Sequence, residues 1–416
     1  MRARRLSARW VVPVEGTPVQ RGALLTGTDG RIVAVGPEAA VPRPADVPTE
    51  DFGDAVLFPG LINTHTHLEL TGLVGEPPAS EFAVWIRRLR EAKAARPPEA
   101  FLAAARRGLT DCWAAGVTTV ADTGDSGAVV RALADAGGSG IAYEEVFGPH
   151  PDQCGESLRG LQGRVEALGR FAAGRVRLGV SPHAPYTVSG PLYAATAGYA
   201  RSAGLPLAVH LAESPAETAL LAGGEGPFAE VWRTRGIPLP APPGRTPVAW
   251  LDEHGVLGER TLCIHVVHAS AADVRRLARA GAAVAHCPLS NRAHGHGAAP
   301  LAALLDASLR VGLGTDSTLS VGTLDLLAEA RAARALAGLD GARALSLCTL
   351  EGARALGLDG ETGSLAAGKW GDCAVIRAPR GAAAAPPEVQ VLASGPQDVL
   401  ATFVGGRDVY RTSRPL

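Results

Sequence analysis

Two histidines spaced two residues apart, His65 and His67, are the residues of this chain best suited to metal chemistry. They close an apolar run that favours a β-strand. Residues two apart in a strand point to the same face, so both imidazoles can bind one metal ion at the end of that strand. His210, His265 and Asp316 each follow a separate apolar run. The pattern predicts a hydrolytic metal site at the carboxyl ends of parallel strands.

A glutamate follows one of these histidines at a spacing that a straight strand does not explain. Glu213 lies three residues beyond His210, which within a regular strand would put the two side chains on opposite faces. We therefore expect Glu213 just past the strand end, on a backbone that bends back over the site, where its carboxyl group can carry a proton. His265 and His268 are also three residues apart, so only one of them can point inward from a regular strand.

The lysine content bears on the number of metal ions. Lys93 and Lys369 are the two lysines of the chain, and neither follows an apolar strand-like run. One large class of binuclear metallohydrolases bridges its two metals with a carboxylated strand lysine, and this chain has no lysine in that position. Imidazoles and one carboxylate suit Zn²⁺ or Fe²⁺. We expect one Zn²⁺ or Fe²⁺ per chain.

The composition excludes several classes of protein. The 416 residues are 46% apolar and carry a formal net charge of −1, with the basic residues scattered. This balance allows a large buried core and gives no sign of a nucleic-acid or membrane partner. The six cysteines are widely spaced and form no C-x-x-C pair, which suits a reducing cytosol. We expect a cytoplasmic enzyme with a small-molecule substrate, for which a homodimer would be unsurprising.

The middle of the chain alternates apolar strands with helical stretches rich in alanine, leucine and arginine, which indicates parallel βα units. Eight strands are predicted, near residues 58–65, 117–122, 141–147, 176–182, 206–211, 261–266, 282–287 and 310–315. Eight such units imply an α/β fold with a closed (β/α)8 barrel whose active site lies at the C-terminal ends of its strands.

Both ends of the chain are rich in short strands instead. We expect residues 1–57 and 362–416 to pair into one small β-sandwich, with the catalytic barrel at 58–361. Two insertions, an extra helix at 80–95 and a longer excursion at 214–258, fall on the active-site side and could cover the substrate.

The chain resembles the amidohydrolase superfamily, in the branch of purine-type deaminases and s-triazine hydrolases. The matching segments are Pro59-Gly-Leu-Ile-Asn-Thr-His-Thr-His67, Ser181-Pro-His-Ala-Pro185, His210-Leu-Ala-Glu213, His265, His286-Cys-Pro-Leu-Ser-Asn291 and Gly314-Thr-Asp316. The resemblance implies a metal-dependent hydrolase with these metal ligands: His65, His67, His210 and Asp316.

The same resemblance implies roles for the other polar residues. His265 would orient the water and polarise the developing oxyanion, Glu213 would protonate a ring nitrogen, and Asp316 would pass a proton to departing ammonia. A metal ion lowers the pKa of a bound water towards 7. His183 and Asn291 would contact the substrate, although a structural role for His183 is an open alternative.

One segment departs from the superfamily. After Asn291 relatives commonly carry Leu-Gly-x-Gly, whereas this chain has Arg292-Ala-His-Gly-His-Gly297. His294 and His296 could suggest a second metal site, but we expect an exposed loop with polar side chains.

A narrower group is also similar, the 6-aminodeoxyfutalosine deaminases of menaquinone synthesis, through His65-Thr-His-Leu-Glu-Leu-Thr71 and Phe82-Ala-Val-Trp-Ile-Arg-Arg88. Their substrate is an adenine nucleoside-like molecule with a benzoate tail. Glu69, in the same parity as the histidine pair, could accept a hydrogen bond from a sugar hydroxyl. Trp85 could stack on an aromatic ring, and Arg87 or Arg88 could pair with the carboxylate. The alternative is an amphipathic helix with Trp85 in the core and both arginines in water.

The function that follows is a metal-dependent deaminase of an aminopurine nucleoside-like substrate. Deaminases of adenosine, of S-adenosylhomocysteine-like compounds or of guanine, and chlorohydrolases of triazines, share the scaffold and remain alternatives. A non-catalytic barrel subunit is the more distant alternative.

Overall fold

The structure is a computed structural model that describes residues 2–73, 81–240, 244–382 and 384–413. Residue 80, where the inserted helix is predicted to begin, lies outside the described residues, as do residues 241–243 of the predicted excursion. The chain forms two compact units. The first comprises Met1–Thr64, Leu109–Val120 and Leu324–Leu416, and the second comprises His65–Gly108 and Ala121–Thr323.

The two ends of the chain form one mixed sheet. Its strands are β1 (Arg4–Val11), β2 (Val19–Thr26), β3 (Ile32–Pro37), β4 (Thr49–Asp51), β5 (Ala55–Pro59), β14 (Cys373–Arg377), β15 (Val399–Val404) and β16 (Arg407–Arg411). The order is β16-β15-β14-β5-β1-β2-β3, with β4 paired to β1. Strand β5 joins the two chain ends, because it pairs parallel to β1 and antiparallel to β14. One core, which includes Leu24, Leu57 and Phe403, is buried against this sheet. The predicted pairing of the chain ends is confirmed.

The second sheet is the barrel. Its strands are β6 (Leu61–Thr66), β7 (Val117–Gly124), β8 (Gly140–Val146), β9 (Val176–Pro182), β10 (Leu207–Leu211), β11 (Thr261–His265), β12 (Ala283–His286) and β13 (Arg310–Leu313). They lie side by side in chain order, and a parallel bridge between Thr66 and Asp316 brings the last strand back to the first. Strands such as β10 and β11 are buried along their whole length, as is typical of parallel strands covered on both faces. The predicted (β/α)8 barrel is confirmed.

The first predicted barrel strand is wrong in one respect, because residues 58–65 belong to two strands. Strand β5 ends at Pro59 in the chain-end sheet and β6 begins at Leu61 in the barrel. Proline has no N–H to donate to a ladder. A Cβ on Gly60 would lie 2.1 Å from Thr118 Cγ2, so only glycine fits between the two strands.

The helices connect the strands. They are α1 (Phe82–Ala94), α2 (Pro98–Ala114), α3 (Ala128–Ala136), α4 (Cys154–Leu168), α5 (Gly190–Ser202), α6 (Pro215–Gly223), α7 (Gly226–Thr234), α8 (Pro247–Glu253), α9 (Ala271–Ala280), α10 (Pro288–Ala293), α11 (Leu301–Asp306), α12 (Thr318–Val321), α13 (Leu326–Ala337), α14 (Gly341–Leu347), α15 (Leu350–Leu356) and α16 (Pro387–Ala393). Helix α1 is the predicted insertion after the first barrel strand. Among the described helices, none combines the length and apolar character needed to cross a bilayer.

Candidate active site

Histidines and one aspartate from four barrel strands meet at the carboxyl ends of those strands. His65 lies in β6 and His67 directly follows it, and their Nε2 atoms are 3.6 and 3.5 Å from Asp316 Oδ1. The rings of His65 and His210 are 4.9 Å apart between centroids. The nitrogen and oxygen ligand atoms of His65, His67 and Asp316 lie within 4.8 Å of one another, as do those of His65, His210 and His265. The predicted ligand residues therefore converge.

Backbone carbonyls fix the orientation of two of these imidazoles. His67 Nδ1 lies 2.8 Å from the carbonyl oxygen of Thr123, and His210 Nδ1 lies 3.2 Å from that of His183. A carbonyl accepts only, so Nδ1 carries the proton in both rings. The Nε2 lone pairs are then available to a metal, as is usual for histidine ligands.

The electrostatics suit a divalent cation. Burial lowers the pKa of His65 to about 3, and it also lowers the pKa values of His67 and His210. Burial alone would raise the pKa of Asp316. Its hydrogen bond with His65 and the charges of the neighbouring histidines instead hold that pKa well below its usual value. At neutral pH the cluster thus offers neutral imidazoles and a carboxylate, the forms that bind Zn²⁺.

The backbone is in the left-handed region at the strand ends of the site. φ is 73° at His265 and 60° at Asp316, and it is 51° at Ala212. Such conformations are uncommon for residues with a Cβ and concentrate at functional sites. The alternation of a strand does not predict side-chain direction at these positions, because the regular strand ends there and the turn sets the direction of each side chain.

Glu213 is buried beside His265. Its Oε1 atom lies 3.6 Å from His265 Nε2, and His265 Nδ1 lies 2.8 Å from Asn291 Oδ1. Asn291 therefore accepts a hydrogen bond from His265 and fixes the ring. Burial raises the pKa of the Glu213 carboxyl. A carboxyl group with a raised pKa can hold a proton and release it, as general acid–base work requires.

Glu217, which sequence reasoning missed, builds the turn that carries Glu213. Its two carboxylate oxygens accept hydrogen bonds from the backbone N–H groups of Ala212 and Glu213, at 2.7 and 2.9 Å. Ser214 caps helix α6 by accepting from the N–H of Glu217 at 3.2 Å. The sequence Ser-Pro-Ala-Glu is a capping-box pattern, and it could have predicted that Glu217 lies in the turn where α6 begins.

The strand alternation that relates His65 to His67 does not extend to Glu69, because β6 ends at Thr66 and a short 3-10 turn, Leu68–Leu70, follows. Its carboxylate is buried. It accepts hydrogen bonds from Lys93 Nζ at 2.9 Å and from the hydroxyl of Ser126. Lys93 also pairs with Asp125 at 2.6 Å. Burial alone would lower the pKa of Lys93, but the two carboxylates raise it above its usual value.

The expectation of an exposed loop after Asn291 is wrong for His296. That side chain is 3% exposed, and its Nε2 atom is 3.5 Å from Glu213 Oε1. His294 is half-buried, with Nε2 3.0 Å from the Ser320 hydroxyl. The loop instead turns inward over the barrel end, where its rings pack against Phe82 and Trp85 of α1. Nothing in the local sequence pattern distinguishes an inward from an outward histidine here.

The other predicted substrate contacts are dispersed. Trp85 is buried in an aromatic cluster with Phe82, Tyr186 and other residues of the barrel end. Arg87 and Arg88 lie on the exposed face of α1. His183 lies next to the metal-capable cluster, with its ring 4.8 Å from that of His210.

Glu145, at the end of β8, is a second residue that sequence reasoning missed. It is buried, and its Oε1 atom has no hydrogen-bond partner among the described residues. Its carboxylate and the ring nitrogens of His183 and His210 lie within 4.8 Å of one another. A pair of adjacent glutamates in a buried strand was the available signal.

The site is a buried His–Asp cluster that could hold a metal ion at the end of a (β/α)8 barrel, and comparison with known proteins gives the family of the chain. Residues 56–409 match the amidohydrolase family. An aminodeoxyfutalosine deaminase of Deinococcus radiodurans is 35% identical over 311 residues, covering 70% of this chain and 71% of the relative. A 5-methylthioadenosine/S-adenosylhomocysteine deaminase of Natronomonas pharaonis is 32% identical over 326 residues, covering 76% and 70%.

A solved structure shares the fold. The zinc-bound adenosine deaminase from Xanthomonas campestris superposes with a TM-score of 0.82 at 24% identity, covering 97% of this chain and 92% of that one. This chain belongs to the amidohydrolase family. The predicted superfamily is confirmed, and with it the prediction of a hydrolytic enzyme of the deaminase type.

Proposed function

We propose that this chain removes an exocyclic amino group from an aminopurine nucleoside-like substrate, releasing ammonia. The observation that carries the proposal is the buried Glu213 carboxyl, 3.6 Å from His265, at the edge of the His–Asp cluster. Hydrolytic deamination of a purine needs a proton at a ring nitrogen and another at the leaving amine, and carboxyl groups near a water-activating site provide both.

In the proposed reaction, His65, His67, His210 and Asp316 would hold one Zn²⁺ or Fe²⁺. Such an ion supplies hydroxide at neutral pH. Glu213 takes the first proton of the attacking water and gives it to the ring nitrogen next to the amino-bearing carbon, as a new C–O bond forms at that carbon.

The second half of the reaction breaks the C–N bond. Asp316 passes the remaining proton of the attacking oxygen to the amino group, which leaves as ammonia. His265, fixed by Asn291, orients the attacking oxygen through its Nε2 atom. No group other than water is consumed.

We propose 6-aminodeoxyfutalosine as the substrate, which would assign the chain to menaquinone synthesis in the cytoplasm. The similarity to the Deinococcus radiodurans aminodeoxyfutalosine deaminase supports this choice. Trp85 belongs to an aromatic cluster that could flank a planar ring. Arg87 and Arg88 are exposed, so either could meet the benzoate carboxylate only where the tail leaves the site across α1.

The proposal is tested by ammonia release from the zinc-loaded protein with 6-aminodeoxyfutalosine, 5′-methylthioadenosine, S-adenosylhomocysteine and adenosine. We expect the highest kcat/KM for 6-aminodeoxyfutalosine. A higher kcat/KM for adenosine or an adenosyl thioether would refute the substrate and leave the deaminase. Ammonia release from none of the four would refute the deaminase itself.

The arginines are tested separately. In Arg87→Met or Arg88→Met, loss of a solvent-exposed ion pair should raise KM for 6-aminodeoxyfutalosine about two- to fivefold and leave KM for adenosine nearly unchanged. Arg275→Met, which removes an exposed arginine from α9, is the matched control. Equal changes with both substrates would show that neither arginine reads the tail.

A further inference from the structure

The segment from His294 to His296 carries a second imidazole into the site, beside that of His265. The segment follows α10. Its backbone is fixed by the hydrogen bond from the N–H of His296 to the carbonyl of Asn291, at 2.9 Å. The imidazole of His268 also binds the backbone of His296. The backbone that carries the His296 ring is thus held in place.

Two imidazoles converge on one oxygen atom of Glu213. His296 Nε2 lies 3.5 Å from Oε1, and His265 Nε2 lies 3.6 Å from the same atom. The Phe82 and His296 rings pack in a T-shaped arrangement, with 4.6 Å between ring centroids. His296 Nε2 lies beside the carboxylate in this packed position.

No other group pairs with this nitrogen among the described residues. His296 Nε2 is buried, and it lies within hydrogen-bonding distance and geometry of no described residue. Buried polar atoms that lack a partner are rare and destabilising. The carboxylate nearest to this nitrogen is that of Glu213, the proposed proton carrier. Hydrogen bonds to catalytic groups are often long in the free enzyme and shorten when substrate binds. A shorter contact in the substrate complex would give His296 Nε2 its partner.

We propose that His296 is a positioning residue for Glu213, holding its carboxyl group at the ring nitrogen of the substrate. The inference rests on the proposed function. Burial lowers the pKa of His296 to about 4, so the ring is neutral at physiological pH and offers a single N–H. With His265 and His296 beside one oxygen, and a hydrogen bond from the Tyr186 side chain to the same carboxyl group, Glu213 is held in one orientation for proton transfer. Fixed geometry of this kind raises kcat rather than substrate affinity.

Substitutions at His296 test this role through the reach of the side chain. His296→Leu removes the N–H and keeps the volume, and it should lower kcat about ten- to a hundredfold with KM within about threefold of the wild type. His296→Gln brings an amide N–H to nearly the same distance from the backbone and should recover most of kcat. His296→Asn is too short and should behave like leucine. The glutamine and asparagine variants are both polar, so their comparison holds even if leucine impairs folding.

The route through Glu213 is tested by a double-mutant cycle. In the Glu213→Gln background, His296→Leu should lower the residual rate by less than about twofold, because a residue that acts through Glu213 loses its effect with it. His254→Leu is the control, since this half-buried histidine binds the carbonyl of Trp250 in α8 and faces no carboxylate of the site.

The outcomes separate the two proposals. Full additivity of the two substitutions, a change confined to KM, or equal kcat in the glutamine and asparagine variants would overturn the role of His296. A wild-type protein that releases no ammonia from any aminopurine nucleoside would overturn the proposed function, and the role of His296 with it. A kcat restored by glutamine but not by asparagine, together with non-additivity, supports the proposal.

Discussion

Gly314 controls how closely two metal-capable strands approach. It directly follows β13, and its N–H donates to the carbonyl of His286 at 3.0 Å. A Cβ at this position would lie 2.7 Å from His65 Cβ, 2.8 Å from the His65 backbone nitrogen and 3.0 Å from Cys287 Sγ. Gly314→Ala therefore pushes a methyl group against the backbone nitrogen and Cβ of His65, a clash that no side-chain rotation relieves.

The size of the effect follows from these distances. Ordinary contact begins at 3.4 Å, so the two strands must separate by about 0.7 Å in an interior that is otherwise close-packed. Overpacking of this kind destabilises by about 1–3 kcal/mol. Asp316 N donates to His65 O at 3.0 Å, so the same shift moves two ligands. Substitutions of residues that orient metal ligands typically lower metal affinity about ten- to a hundredfold, and we expect a loss of zinc affinity of the same size here.

Chelator competition measures that affinity, and thermal unfolding with and without zinc checks it. The control is Gly198→Ala in α5, where an added Cβ meets nothing within 4 Å. Alanine stabilises a helix by about 0.5–1 kcal/mol relative to glycine. This variant should therefore unfold at a slightly higher temperature than the wild type and bind zinc with the same affinity. Wild-type zinc affinity in a folded Gly314→Ala protein would refute the reasoning.

Three further predictions concern the metal, a buried pair and pH. Elemental analysis should find one transition-metal ion per active chain, and two tightly bound ions would contradict the ligand set. Lys93→Met leaves Glu69 buried without its cation and should lower the free energy of unfolding by about 3–5 kcal/mol, whereas Lys93→Arg should lose much less in the same urea titration. Burial raises the pKa of Glu217 to about 8, above the usual 4.5, so the folded protein keeps a proton that the unfolded chain releases. The contribution of Glu217 to stability should fall with rising pH between those values, by about 1.4 kcal/mol per pH unit, and Glu217→Gln should remove that contribution from the slope. An unchanged slope in the variant would rule out Glu217 as its source.

The barrel and its metal-capable residues could be predicted because they depend on local pattern. Each of His65, His210 and His265 ends or nearly ends a buried apolar run, and parallel strands bring such ends together. Only the start of the first strand was wrong, where Pro59-Gly60 marks the passage from one sheet to the other. A Pro-Gly pair between apolar residues is a turn signal, and it outweighs the continuous hydrophobicity.

The supporting residues could not be predicted, because their partners come from distant segments. Lys93 meets Glu69 only because α1 packs over the barrel end, and no helical period encodes that partner. His296 lies in a glycine-flanked turn with no strand or helix period. Glu69 shows the converse error, because the alternation of a strand was extended past the residue where the strand ends.

The central claim is that Glu213 carries a proton at a metal site it does not help to form. It is tested most directly by measuring metal content and turnover on one preparation of Glu213→Gln, a neutral side chain of nearly the same shape. The variant should hold the same metal as the wild type, while kcat for the best aminopurine substrate falls about 10²–10⁴-fold. Near-normal turnover, or loss of the metal, would contradict the account.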